Sequence, residues 1–158
     1  MSKPNIGFIG LGLMGAAMVS RLQDLGYSIS ICANISRTNI DAAVARGACE
    51  VDTARQVAAA SDIIMLCMDT TASVEARMRG PEGVISGLSA GKIVIDFGTS
   101  LPASTRALGV EVAATGAQYL DAPLGRTPAH ARDGALNIMA SGEKNAFAAA
   151  KPVLQDLG

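Results

Sequence analysis

Short apolar runs take turns along the chain with longer, Ala-rich amphipathic stretches. The runs Asn5 to Ile9, Tyr27 to Cys32, Asp62 to Cys67, Lys92 to Asp96, Gln118 to Asp121 and Ala135 to Ala140 predict strands, being brief and rich in β-branched and aliphatic residues. Between them, Leu13 to Leu25, Asn39 to Arg46, Thr53 to Ala60, Thr71 to Arg79, Pro102 to Thr115 and Glu143 to Leu157 predict helices. The punctuation agrees. Gly26 and Gly47 follow two of these helices and Gly80-Pro81 closes a third. Thr53 suits an N-cap, and Pro102 stands in a first turn, where a missing N–H costs nothing. Strands alternating with helices of this length imply βαβ crossovers. The expected fold class is therefore α/β: a doubly wound, mostly parallel sheet with helices on both faces, in one domain spanning residues 1–158.

Between the first strand and the first helix the chain reads Gly10-Leu11-Gly12-Leu13-Met14-Gly15, a G-x-G-x-x-G. In a strand–turn–helix context each glycine has a task. The first makes the tight turn, the second lets a pyrophosphate approach the backbone, and the third lets helix pack against strand. The helix start then offers free N–H groups and the positive end of its dipole to the phosphates. Gly10, Leu11, Gly12, Leu13, Met14 and Gly15 are thus candidate cofactor residues of a Rossmann-type domain, and the cofactor class is a nicotinamide dinucleotide.

The end of the second strand discriminates NAD from NADP. About 20 residues beyond the glycines, an acidic side chain would bind the ribose hydroxyls of NAD. Here Cys32-Ala33-Asn34-Ile35-Ser36-Arg37-Thr38 has no carboxylate, and the next is Asp41. Asn34, Ser36 and Arg37 suit a 2′-phosphate, since guanidinium offers a charged planar fork of donors. NADP is the expected cofactor with NAD the alternative, and Arg37 as a merely solvated loop residue is the competing reading.

Composition narrows the function further. Hydrophobic residues make up 49% of the 158, enough for a sizeable core, and aromatics only 3%, so that core must be aliphatic. A net charge of −1 leaves no basic surface for nucleic acid. Residues 6–19 carry no charge and resemble the apolar part of a signal peptide, yet they are too short to span a bilayer and too rich in glycine for a stable helix. The expectation is a cytoplasmic protein with no membrane partner. Cys32, Cys49 and Cys67 are widely spaced and His130 is the one histidine, so neither a disulfide frame nor a metal site is expected. The cysteines read as buried thiols.

With these residues in view, the sequence resembles the β-hydroxyacid dehydrogenase family, which includes 3-hydroxyisobutyrate dehydrogenases and relatives of 6-phosphogluconate dehydrogenase. IGFIGLGLMGAAMVSRL (6–22) is similar to that family's opening signature. DIIMLCMD (62–69) resembles its fourth strand and the loop at the nicotinamide ribose, which makes Cys67 and Met68 cofactor candidates, although the family often has Leu-Pro there. VIDFGTSLP (94–102) resembles D-x-S-T-x-x-P, keeping Thr99 and Pro102 but with Gly98 in place of Ser; Thr99 joins the cofactor candidates. DAPLGRTPAHARDGALNIMASG (121–142) resembles the substrate-loop motif, with Gly125-Arg126-Thr127 where many members have Ser-Gly-Gly.

That triplet is similar to the sulfolactaldehyde reductase branch. Pro123, Gly125, Arg126 and Thr127 are accordingly the expected substrate residues. Arg126, the Thr127 hydroxyl and nearby backbone N–H groups would cradle an anion; alternatively Arg126 pairs with Asp121 or Asp133. His130 reads as a surface residue at a helix start, and Met14 and Met18 as packing. The resemblance implies a lysine general acid/base on a helix of a second, dimer-forming domain. No lysine in this chain matches its motif, so no catalytic residue is assigned. The function implied is the cofactor half of an NAD(P)-dependent oxidoreductase acting on a small 3-hydroxyacid or anionic aldehyde, from a homo-oligomer in its whole form. A free-standing dinucleotide-binding or sensor module is the other reading.

Overall fold

The computed structural model describes residues 2–158. Its elements are β1 (Ile6–Ile9), α1 (Leu13–Asp24), β2 (Ile29–Ile31), α2 (Thr38–Ala45), β3 (Cys49–Glu50), α3 (Ala54–Ala59), β4 (Ile63–Leu66), α4 (Thr71–Met78), β5 (Ile93–Asp96), α5 (Pro102–Ala113), β6 (Gln118–Asp121), β7 (Leu124–Gly125), α6 (Pro128–Arg132), β8 (Asn137–Ile138), β9 (Ser141–Gly142) and α7 (Lys144–Leu157). Seven strands form one sheet in the order β3-β2-β1-β4-β5-β6-β9. All neighbours are parallel except β9, which runs antiparallel to β6.

Both sheet faces are covered, which explains why the central strands are apolar without interruption. Alternate residues go to opposite sides. Phe8, Met65 and Ile95 join Met18 and Leu22 of α1 and Val153 of α7 in one core. Ile9, Ile64, Leu66 and Val94 join Val57 of α3, Val74 and Met78 of α4, and Leu108 of α5 in the other. Each such side chain contributes roughly 1.5–3 kcal/mol by leaving water.

Local signals account for the helix ends. Thr53 caps α3 as expected, its hydroxyl accepting from the Gln56 N–H while the Gln56 side chain accepts from the Thr53 N–H. Lys92 donates to the carbonyls of Ala58, Ala59 and Ser61, at and just beyond the other end of α3. Its ammonium neutralises the negative end of that helix.

Two expectations are corrected, and an edge strand that the sequence pattern did not predict joins the sheet. The strand expected over Ala135 to Ala140 is only Asn137–Ile138, paired antiparallel with β7 outside the main sheet. The chain must then turn at Ala140 to lay β9 beside β6, so no longer strand is possible. The edge strand β3 carries no apolar alternation, because both of its residues face solvent, and the hydrophobic pattern could not announce it. Cys49 lies on that edge and is exposed, while Cys32 is buried and Cys67 half-buried.

Candidate functional site

The strand order reverses direction between β1 and β4, since the chain winds outward from β1 to β3 and returns to β4 on the other side. Loops leaving the carboxyl ends of these two strands diverge, and a cleft opens between them. The cleft, about 270 Å³, is lined by Gly10, Leu11 and Gly12 from the β1 end, by Cys32, Asn34 and Ser36 from the β2 end, and by Cys67, Met68 and Asp69 from the β4 end. Ile35 and Ile40 complete it. Seven residues singled out from the sequence therefore meet in one place.

The three glycines differ in what surrounds them. Gly10 has φ +98°, and a Cβ there would strike the Cys67 carbonyl and lie 2.9 Å from the Met68 sulfur. A Cβ on Gly15 would strike the Gly10 carbonyl oxygen and lie 3.1 Å from the Phe8 ring. Both glycines are needed to assemble the turn itself. Gly12 has no neighbour within 4 Å of that position, so its missing side chain leaves open space in the cleft. It also starts α1 without any side-chain cap. The first N–H groups of α1 are thus left for a ligand or for water. Leu13 projects into solvent, Met14 is half-buried and Met18 lies in the core.

The site has members that the sequence reading missed. Asn39 of α2 donates to the Leu11 carbonyl at 2.8 Å, tying the glycine turn to the second helix. Buried Asp96 accepts from the Gly98 N–H and from the Ser100 hydroxyl, both at 2.8 Å. Those bonds shape the loop that carries exposed Thr99. Burial raises the Asp96 carboxyl above its usual range, against the hydrogen bonds from Ser100, Gly98 and the Tyr119 hydroxyl. A Cβ on Gly98 would lie 3.1 Å from the Met68 carbonyl, so the Thr99 loop abuts the cleft although Thr99 does not line it. An Asp before a Gly-x-Ser loop was the available signal for this brace.

Arg37 stands at the carboxyl end of β2 with its guanidinium already engaged. It does not line the cleft. Its guanidinium, though exposed to solvent, binds Glu50 of β3 through two bonds of 2.9 Å and Asp41 through a third of 2.9 Å, so it is not free to receive an anion without giving up one of these partners. For Arg126 the alternative reading is corrected: it pairs with neither Asp121 nor Asp133 but donates to the Ala135 carbonyl at 2.9 Å. Its φ of +78° is the one positive value outside glycine among the described residues. Left-handed backbone strains a residue with a Cβ, which accounts for the family's Gly at this place. The Thr127 hydroxyl is engaged as well, capping α6 against His130, with the imidazole Nδ1 at 2.8 Å. His130 is an exposed helix-start residue, as expected. Pro123, Gly125, Arg126 and Thr127 follow β6 in the chain, and none of them lines the cleft.

A larger open concavity of about 970 Å³ runs along α5, β6 and β9. It contains none of the glycine turn, and its lining (Arg106, Val110 and Glu143 among others) converges on no chemistry. Among the described residues no group of three or more His, Cys, Asp or Glu could hold a metal ion. No helix among them is long and apolar enough to cross a membrane.

Burial pushes the Cys67 thiol up to about 11, helped by the charges of Asp96 and Asp69. A thiol that stays protonated at neutral pH is a poor nucleophile. Brief iodoacetamide treatment at pH 7.5 is therefore expected to modify exposed Cys49 and spare Cys32 and Cys67, as peptide mass mapping would show. Early modification of Cys67 would contradict this.

Residues 5–158 match the family described as the NAD binding domain of 6-phosphogluconate dehydrogenase. The chain is 37% identical to 2-(hydroxymethyl)glutarate dehydrogenase of Eubacterium barkeri, over 97% of its own length and 50% of that protein's. It is 36% identical to 2-hydroxy-3-oxopropionate reductase of Escherichia coli strain K12, over 97% of its length and 52% of the relative's. The chain thus spans about half the length of these curated relatives. Among solved structures it resembles Psf3 in complex with NADP+ and 2-OPP, with TM-score 0.90 and 27% identity over 96% of this chain and 54% of that one.

Proposed function

The chain belongs to the NAD-binding domain family of 6-phosphogluconate dehydrogenase, and from that premise we propose that it holds NADP, with NAD as the weaker ligand, in the cleft between β1 and β4. The observation that carries this reading is the start of α1. It is uncapped, it follows a turn that only glycine can make at Gly10, and Gly12 leaves a void at its mouth. A pyrophosphate in that void would receive the free N–H groups. Asn34 and Ser36 face the adenosine end, and the Met68 and Thr99 loops the nicotinamide end. The cofactor, when bound, supplies the hydride donor or acceptor.

The reaction proposed for the whole protein is hydride transfer to or from a small 3-hydroxyacid or anionic aldehyde. Two features support an anionic substrate: the Gly125-Arg126-Thr127 triplet, with its likeness to sulfolactaldehyde reductases, and an Arg126 head group held by one neutral carbonyl alone. A carbinol substrate also needs a proton acceptor within hydrogen-bond reach. Among the described residues no lysine or histidine lines the cleft. Lys92 is committed to the end of α3 and His130 to Thr127. We therefore assign residues 1–158 the cofactor half of the chemistry, and the proton-transfer half to the family's second domain.

NADPH fluorescence titration tests the first part. NADPH is expected to bind this chain, and to bind it more tightly than NADH. Offered 3-hydroxyacids and anionic aldehydes with either cofactor, the chain is expected to bind without turning over. Turnover equal to that of a two-domain protein would place the proton-transfer group within these residues and overturn the division of labour.

A further inference from the structure

We propose that Glu50 is a latch on Arg37 that sets how strongly the domain prefers a 2′-phosphorylated cofactor. The inference rests on the cleft between β1 and β4 being the dinucleotide site, with the adenosine ribose at the carboxyl end of β2. Glu50 reaches that end through the parallel pairing of β2 with β3, which puts it beside Ile31.

A guanidinium has five N–H donors. Glu50 takes one from each terminal nitrogen, Nη1 to Oε1 and Nη2 to Oε2, at 2.9 Å each. Asp41 takes another from Nη2. The planar edge that would grip a phosphate is therefore filled by a carboxylate. A 2′-phosphate must either displace Glu50 or bind at the remaining Nε–H and Nη1–H with two carboxylates close by. Displacement breaks a two-point ion pair, and the alternative sets like charges side by side.

Either penalty falls on NADP alone, because a free ribose diol makes no claim on the guanidinium. Glu50 is the stronger holder of the two. Its side chain is 31% exposed against 63% for Asp41, and it makes two bonds to the other's one. Arg37 also holds the Glu50 carboxyl below the usual carboxylate range, so the latch is charged throughout the neutral pH range. The pair borders on solvent, which makes it a brake of modest size rather than a barrier.

The test compares NADPH and NADH affinities of the whole chain by fluorescence titration, with a thermal melt of each variant to confirm folding. Glu50→Gln keeps the side-chain length and removes the charge, and it should raise the ratio of NADPH to NADH affinity about fivefold. Asp41→Asn should raise it by about twofold or less. Arg37→Ala should lower the ratio, and in that background Glu50→Gln should change it by less than about twofold. If Arg37→Ala lowers the ratio but Glu50→Gln leaves it unmoved or lowers it, the latch is overturned while the cleft and its arginine stand. If the native chain binds neither cofactor, the reading of the cleft falls, and the latch with it.

Discussion

Gly12→Ala is expected to weaken binding of either nicotinamide dinucleotide about a hundredfold, roughly 3 kcal/mol, while leaving the melting temperature within about 3 °C of the native value. The two halves of this expectation have separate causes. In the protein itself the new methyl group meets nothing within 4 Å, and the backbone at φ −74°, ψ −160° is extended and open to alanine. Ala is a poorer N-cap than Gly, at a cost of roughly 0.5–1 kcal/mol, which a domain of this size registers as about 3 °C or less. In the complex, the methyl would occupy the space into which the pyrophosphate must come to meet the start of α1. Isothermal titration with NADPH and NADH, beside a thermal melt, reads both. Unchanged affinity would remove the pyrophosphate from the glycine turn.

Gly15→Ala should fail in the opposite way, through the fold. We expect a loss of about 3 kcal/mol in stability, or a fall in melting temperature on the order of 10 °C. Helix propensity argues for alanine here by up to about 1 kcal/mol, since Gly15 lies in the first turn of α1. The clash outweighs it. The added Cβ points into the Gly10 carbonyl oxygen and close to the Phe8 ring, so α1 must move off β1 or the turn must open. Denaturant unfolding of both variants makes the comparison direct. A Gly15→Ala protein as stable as the native one would show that α1 has slack against β1.

Several of these features were legible from local pattern. The continuous apolar runs of β4 and β5 implied a sheet covered on both faces, because strands so placed have no polar side to show. The spacing of Gly10, Gly12 and Gly15 after β1 implied a tight turn and a close approach of helix to strand, which the surroundings of Gly10 and Gly15 require. Thr53 with Gln56 three residues on carried its capping box in plain sight. Each of these rests on residues within one turn or one strand of each other, so the chain alone determines them.

The remainder depended on which segments come to lie side by side. Glu50 stands 13 residues from Arg37, on an edge strand with no hydrophobic signal, and only the register of β3 on β2 brings its carboxylate to the guanidinium. Until that register was known, Arg37 read as free. For Arg126 the sequence offered a substrate anion or, as the alternative, a nearby carboxylate, and neither reading could show that the side chain reaches the Ala135 carbonyl from a left-handed backbone. Cys49 looked like its two companions, and its exposure follows solely from the place of β3 at the edge of the sheet. Periodicity and turn chemistry are properties of the local chain and are written in it. Ion-pair partners, burial at a sheet edge and the aim of a loop side chain arise from contacts between distant segments, which only the assembled sheet decides.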